Sequence, residues 1–359
     1  MYKVDFSLSE WNFTVYFNTL EDYLFYKRQI ETSVVDMKHK DSKNETIKIY
    51  YQNDKDLYNN LLSTIKKRDK KTISSFQDEY YDLYGDTYVS SKERYLIRNE
   101  GNNTYRMICN GFLKRHECIY LIREIYVRLQ ENKKALFMHG NGIEMDNKGI
   151  MLLGNSGSGK TTFMMKLLDT DDDTSYLSND RVFLKENRRI DYFPIPLILA
   201  NGTAQNNRRL FDYLSKKDSL YDSTYRRDTL LHGEVDDKYA LFRNHFFEIF
   251  PNCKNVESTN LDYVILPKIN LNGDRVEIRE IDDKSRILDT CFTPVDHESK
   301  RRPWILQRTL TDQELYANRE QIISDLVDRG QIYECLYHPD ITPQELQEKV
   351  KTKVLKRDG

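Results

Sequence analysis

Cysteine is scarce and spaced too widely to form a framework. The chain of 359 residues carries five, Cys109, Cys118, Cys253, Cys291 and Cys335. Their number is odd and no CxxC pair occurs, which excludes a zinc-finger type site and a disulfide scaffold. No run approaches the roughly 20 apolar residues that a membrane-spanning helix needs. The opening stretch MYKVDFSLSEWNF lacks both the basic start and the apolar core of a secretory signal. Neither sign of charge dominates: 55 Lys and Arg face 57 Asp and Glu, a net charge of −2. That excludes a broad electrostatic grip on nucleic acid and leaves open only a local basic patch. No internal repeat is found. These absences together predict a reduced, cytoplasmic protein with no nucleic-acid and no membrane partner. The sequence is compatible with a homo-oligomer.

Hydrophobic residues make up 39% and charged residues 31%, enough of each for a soluble chain with a packed core. The 25 tyrosines are spread along the chain and read as ordinary core and surface residues. The length predicts two domains, or one with an appendage. Residues 1–132 are expected to form an α+β accessory or recognition domain. FTVYFN, TIKIYYQN and RYLIRNEG alternate like strands. KDLYNNLLSTIKKR and ECIYLIREIYVRLQENKK have helical spacing, the second with Ile119, Ile122, Ile125 and Leu129 on one stripe. No chemical motif is found in this region.

Residues 133–311 are expected to form an α/β core with a mixed sheet, and residues 312–359 a helical tail. ALFMHGNGIEM reads as one strand, DNKG as a turn and GIMLLG as the returning strand. After a helix over 160–168, SYLSNDRVFLKE reads as strand, interruption and strand. Pro194 and Pro196 break the next segment, KYALFRNHFFEIF looks helical and LDYVILPKIN is a strand. The tail contains the helices DQELYANREQIISDLVDRGQ and TPQELQEKVKTKVLK, the latter opened by an N-cap Thr and a Pro.

Between GIMLLG and the first core helix lies Gly154-Asn155-Ser156-Gly157-Ser158-Gly159-Lys160-Thr161, followed by Thr162. It fits G-x-x-x-x-G-K-[ST] with a strand before and a helix after. The glycines let successive N–H groups turn inward onto phosphate oxygens, and the helix N-terminus adds partial positive charge. Lys160 is expected to reach the β and γ phosphates, and Thr161 to offer its hydroxyl to Mg²⁺. Residues 154–162 are thus the expected nucleotide site. Asp180 follows Lys160 by only 20 residues, so the next strand delivers a carboxylate to the phosphates. An LSGGQ-like stretch is absent, and so is a convincing N-K-x-D, which favours ATP over GTP and argues against an ABC ATPase.

FMHGNGIEMDNKGIMLLGNSGSGKTT and SYLSNDRVFL resemble the HPr kinase/phosphorylase family and its wider relatives, some from peptide natural-product clusters. These share a core with phosphoenolpyruvate carboxykinase. Their pattern is met at His139, Gly154, Ser156, Gly157, Gly159, Lys160, Thr161, Asp180, Arg181 and Val182. The resemblance covers roughly residues 134–200, extends more weakly to about 270, and leaves out the first 130 residues and the tail. It implies a Mg²⁺-dependent kinase moving the γ-phosphate of ATP to a hydroxyl, with Asp180 on the metal and His139 near the transferring phosphate. The acceptor would be a peptide or small molecule of a biosynthetic pathway rather than HPr. The rival readings are a shikimate- or nucleoside-type kinase and an ATP-binding switch without catalysis.

One position departs from the pattern. Asn179 stands where the family often has a first acid that accepts the hydroxyl proton. An amide can only orient the acceptor by hydrogen bonding. Either Asp180 serves both purposes, or Asp191 or Glu234 substitutes, or a strong base is unnecessary in a loose transition state. On this reading Asn179→Asp is tolerated or raises the rate. Arg181 is expected either to buttress the metal site or to pair with a surface acid. A further cation for the phosphoryl group is expected from Arg208, Arg209, Arg226, Arg227, Lys238 or Arg302. DTDDDT at 169–174 lacks the glycine and closing glutamate of a calcium loop and reads as a solvated connection.

Overall fold

The computed structural model describes residues 1–31, 33–34, 37, 44–65, 71–74, 80–90, 94–111, 117–155, 157–170, 174–216, 238–241, 243–283, 305–306 and 309–355. The chain is mixed α/β and divides into two compact units, Met1–Asn132 with Pro294–Thr309, and Lys133–Thr293 with Leu310–Gly359.

The first unit runs β1 (Tyr2–Leu8), β2 (Trp11–Phe17), α1 (Leu20–Glu31), β3 (Thr46–Asn53), α2 (Lys55–Ile65), β4 (Lys71–Ser74), β5 (Tyr80–Tyr84), β6 (Thr87–Ser90), β7 (Tyr95–Gly101), β8 (Thr104–Cys109) and α3 (Glu117–Glu131). Its eight-stranded sheet has the order β1-β2-β3-β8-β7-β6-β5-β4. The β2–β3 and β3–β8 pairs are parallel and the others antiparallel. The three expected strands lie in β2, β3 and β7, and the two expected helices are α2 and α3. Ile305 and Thr309 return to this unit, because Glu124 accepts the Ile305 N–H at 2.7 Å and Asn132 accepts the Thr309 N–H at 2.8 Å. The second unit is therefore discontinuous in sequence and ends its first stretch before residue 311.

The second unit opens with β9 (Leu136–Met138), β10 (Gly140–Met145), β11 (Lys148–Leu153), α4 (Lys160–Leu168), β12 (Thr174–Ser178), β13 (Val182–Leu184) and β14 (Arg189–Tyr192). It continues with β15 (Leu197–Ala200), α5 (Asn201–Gln205), α6 (Arg208–Lys216), β16 (Lys238–Leu241), α7 (Arg243–Ile249), β17 (Lys254–Asn255), β18 (Ser258–Ile269) and β19 (Val276–Glu280). It closes with α8 (Asp312–Asp328), β20 (Ile332–Tyr337) and α9 (Pro343–Lys353). Its ten-stranded sheet runs β17-β12-β10-β11-β18-β14-β13-β9, with β20 also on β18 and β19 on β20. β11, β18 and β20 are mutually parallel, so their carboxyl ends share one edge.

Three expectations are corrected. ALFMHGNGIEM is two strands, because the chain breaks at His139: β9 pairs with β13 and β10 with β11 and β12. The start of KYALFRNHFFEIF is strand rather than helix, since β16 pairs with β15 and only Arg243–Ile249 is helical. The tail is not helices alone. IYECLY becomes β20, wedged between β18 and β19, and α9 packs Leu346 and Val350 into the same core as Phe163 and Leu167 of α4. A short apolar run between helical segments carries no period that separates buried strand from helix.

In the hairpin, Asp146 (φ 53°) and Asn147 (φ 60°) both sit left-handed, the turn that matches the twist of the β10–β11 pair. Gly149 opens β11 at a close approach. A Cβ there would collide with the Asn260 carbonyl and lie 2.7 Å from the Thr259 methyl, both on β18. Gly149→Ala is therefore expected to lose about 3 kcal/mol of stability, read as a lowered urea midpoint. A wild-type midpoint would contradict the tight β11–β18 apposition.

Candidate functional site

The loop joining β11 to α4 leaves the sheet at the shared carboxyl edge. Three of its glycines have φ values that side chains avoid, Gly154 at 151°, Gly157 at 81° and Gly159 at 96°. A Cβ on Gly159 would meet Ile269 Cγ1 at 2.8 Å and also strike the Tyr337 hydroxyl. The loop is pinned from two neighbouring strands. Ile269 N–H donates to Ser158 O at 3.3 Å, and the Tyr337 hydroxyl donates to Gly159 O at 2.9 Å. Gly159 caps α4 without any side-chain acceptor, so the first-turn N–H groups of that helix receive no bond from the cap side chain.

Lys160 is buried and its ammonium donates to Gly154 O at 2.6 Å and Asn155 O at 3.1 Å. Burial pulls its pKa below the ordinary lysine value; the Asp180 carboxylate opposes this and the Arg181 guanidinium adds to it. Thr161 donates from Oγ1 to Asn179 Oδ1 at 3.3 Å. Thr162 points elsewhere: its hydroxyl lies 2.7 Å from that of Thr203 within the protein. Ser158 Oγ is closed to solvent and has no partner. Ser156 lies outside the described residues.

The acidic turn follows β12. Ser178 Oγ donates to Arg181 O at 2.6 Å and accepts from Phe193 N at 3.1 Å, which clamps the turn from both sides. Arg181 N–H reaches back to Asn179 O at 2.7 Å, closing a three-residue turn with Asp180 at φ 63°. Such turns are rare and strained, and strain of this kind gathers at functional positions. Asn141 of β10 supports the turn by accepting the Asp180 N–H at 2.8 Å.

His139 Nε2 lies 2.9 Å from Asp180 Oδ1, and Arg181 Nη1 lies 3.3 Å from Asp180 Oδ2. Burial alone would raise the Asp180 pKa. The hydrogen bond from His139 and the charges of Arg181, His139 and Lys160 outweigh it and bring the carboxyl down to about 2. An ionised Asp180 only accepts, so Nε2 of His139 carries the proton. Arg181 thus buttresses the acid. Its guanidinium also donates to Asp180 O at 2.8 Å and sits 5.9 Å from the Phe137 ring.

Thr161 with Asn179 and His139 with Asp180 are linked by these contacts, and Lys160 acts on Asp180 through its charge. Asp191 serves a different purpose: it is fully buried and bound by Lys185 at 2.6 Å and Arg189 at 3.2 Å. Two of the expected extra cations pair with acids outside this group. Arg208 is exposed and 3.9 Å from Asp212, while Arg209 is 3.2 Å from Asp169. Lys238 lies on β16. Arg226, Arg227, Glu234 and Arg302 lie outside the described residues.

Sequence reasoning missed Asn141 and Tyr337. Asn141 follows His139 by two residues and carries no motif, and Tyr337 reaches the loop from a strand 178 residues further on. Arg243 was missed as well. It is buried with its guanidinium 5.2 Å from the Tyr176 ring and 5.0 Å from the Tyr192 ring, and it donates to Asn255 and Val256.

Two oxygens suit Mg²⁺, the Thr161 hydroxyl and the Asp180 carboxylate. Magnesium takes one or two protein oxygens when phosphates and water supply the rest. Among the described residues no group of three or more His, Cys, Asp or Glu could hold a metal. No helix among the described residues is long and apolar enough to cross a membrane.

In comparisons with known proteins, no family model matches the chain and no curated protein matches it.

Proposed function

We propose that the chain is a Mg²⁺-dependent kinase that transfers the γ-phosphate of ATP to a hydroxyl of a peptide or small molecule from a biosynthetic pathway. On this reading the second unit is an HPr kinase-like phosphate-loop core. One observation carries it. The glycine loop with Lys160 and Thr161 meets the strained Asn179–Asp180 turn at the carboxyl edge of parallel strands, where open α/β sheets take their ligands. Thr161 bonds Asn179 and His139 bonds Asp180, so a phosphate-binding set and an acidic set act as one site.

The residues then divide the work as follows. Loop N–H groups and Lys160 bind the β and γ phosphates, and Thr161 and Asp180 hold the ion, which neutralises phosphate charge. With a pKa of about 2, Asp180 is a poor proton acceptor at neutral pH. Asp191 is neutralised by two cations and supplies no substitute base. On this reading positioning and charge compensation dominate, as a loose phosphoryl-transfer transition state permits.

Incubation with ATP, Mg²⁺ and synthetic hydroxyl peptides or pathway metabolites is expected to yield a product heavier by one phosphoryl group. Nucleotide binding and slow ATP hydrolysis with no such product would favour an ATP-dependent switch, a rival to which the missing acid at Asn179 lends support. Efficient phosphorylation of HPr would overturn the choice of acceptor.

A further inference from the structure

Two amide groups beside Asp180 each have one end engaged and the other unused. Asn141 is fully buried, and its Oδ1 accepts the Asp180 N–H at 2.8 Å. Asn179 is 1% exposed, and its Oδ1 accepts from Thr161 Oγ1 at 3.3 Å. In both residues Nδ2 is closed to solvent and has no hydrogen-bond partner. A buried donor left unpaired costs about 1–3 kcal/mol, and native proteins leave few of them without a reason. Here two occur at one strained turn, one within it at Asn179 and one on the β10 strand that supports it, next to the expected metal ligand and the expected metal-binding acid.

Among the described residues the cations that act on Asp180 are Arg181, His139 and Lys160. Arg181 bonds Asp180, while Arg208 lies exposed 3.9 Å from Asp212 and Arg209 lies 3.2 Å from Asp169. We propose that Asn141 and Asn179 form a neutral clamp whose Nδ2 groups donate to non-bridging oxygens of the phosphoryl group in transfer. This rests on the kinase reading and adds to it a residue outside the phosphate-loop motif, Asn141. Donors fixed in advance where charge develops stabilise a transition state without reorganisation. Both nitrogens are closed to solvent, so the clamp requires a local opening when phosphate enters, just as Lys160 must exchange the Gly154 and Asn155 carbonyls for phosphate.

The clamp also reverses the expectation for position 179. A carboxylate there keeps an oxygen for Thr161 but removes the donor and sets a second negative charge beside Asp180. Asn179→Asp is thus expected to be damaging rather than tolerated.

Asn141→Asp tests the proposal without dismantling the turn, because one carboxylate oxygen still accepts the Asp180 N–H. The quantity to measure is the gain in affinity when Mg²⁺–ADP is supplemented with aluminium fluoride, which mimics the phosphoryl group in transfer. In the wild type the fluoride is expected to tighten ADP binding. In Asn141→Asp and Asn179→Asp that gain is expected to shrink by about 10²-fold, with Mg²⁺–ADP alone as the reference and Asn141→Gln separating lost charge balance from displaced geometry. A full gain in both Asp variants would overturn the clamp and leave the kinase reading intact. A wild type that binds Mg²⁺–ADP without any gain would also overturn it. A wild type that binds no nucleotide would overturn the kinase reading itself.

Discussion

Lys160→Ala is expected to lower ATP turnover by about 10³-fold and leave the fold in place. Lys160 Nζ is the charge at the centre of the loop, 2.6 Å from Gly154 O and 3.1 Å from Asn155 O. Its stem packs where α4 begins, so Lys160→Met separates loss of charge from loss of packing. Burial lowers the lysine pKa, Asp180 restores part of it and Arg181 opposes that. The sign of the linkage follows. A lysine whose folded pKa lies below its unfolded value makes the protein less stable while charged, and the loss is relieved as pH rises through the folded value. Wild-type protein should therefore gain stability relative to Lys160→Met on the alkaline side, while its turnover falls as the ammonium is lost. Urea midpoints across alkaline pH read the first effect, and calorimetry with Mg²⁺–ATP together with steady-state turnover reads the loss of function. Unchanged affinity and unchanged rate in Lys160→Ala would remove the loop from the nucleotide site.

The second large effect is at Asp180. Asp180→Asn is expected to abolish turnover and flatten its Mg²⁺ dependence. Asparagine tolerates a left-handed backbone, so the φ of 63° survives the substitution, whereas alanine would add backbone strain to the result. The amide keeps an acceptor for His139 but loses the charge that the ion and Arg181 require. Asp180 also leaves a mark on acid stability. Its pKa falls from 3.8 to about 2 on folding, so the ionised carboxylate contributes stability above the unfolded value, and this is lost as pH drops toward the folded one. Acid unfolding of Asp180→Asn should lack that component between these two values. The effect is modest, because the side chain is 41% exposed and its partners are screened by water. Full activity with undiminished Mg²⁺ dependence in Asp180→Asn would dissociate the acid from the ion.

The local elements near the loop were legible in sequence because each rests on local chemistry. Asp146 and Asn147 announce a hairpin turn, the spaced glycines announce backbone that side chains cannot follow, and Thr342 with Pro343 announces the start of α9. The order of strand, glycine loop and helix is equally local. So is the early carboxylate at 180, since the length of α4 and one connection fix where the next strand returns. The strands that local pattern leaves open are those whose state is set by neighbours. β20 is a strand because β18 and β19 offer it hydrogen bonds on both sides, and β9 separates from β10 because their pairing partners differ.

The site divides in the same way. Sequence alone determined the residue types that can hold phosphate and metal, since a motif is a statement about bonding capacity at fixed spacing. Only the tertiary structure decided how each capacity is used. It committed Asp191 to Lys185 and Arg189, turned Thr162 toward Thr203, brought Tyr337 onto Gly159 and left the Nδ2 groups of Asn141 and Asn179 unpaired. The physical reason is that a side chain's partner is fixed by whatever lies within about 3 Å of its polar atoms. For buried groups those neighbours come from strands and helices distant in sequence, where spacing along the chain carries no information.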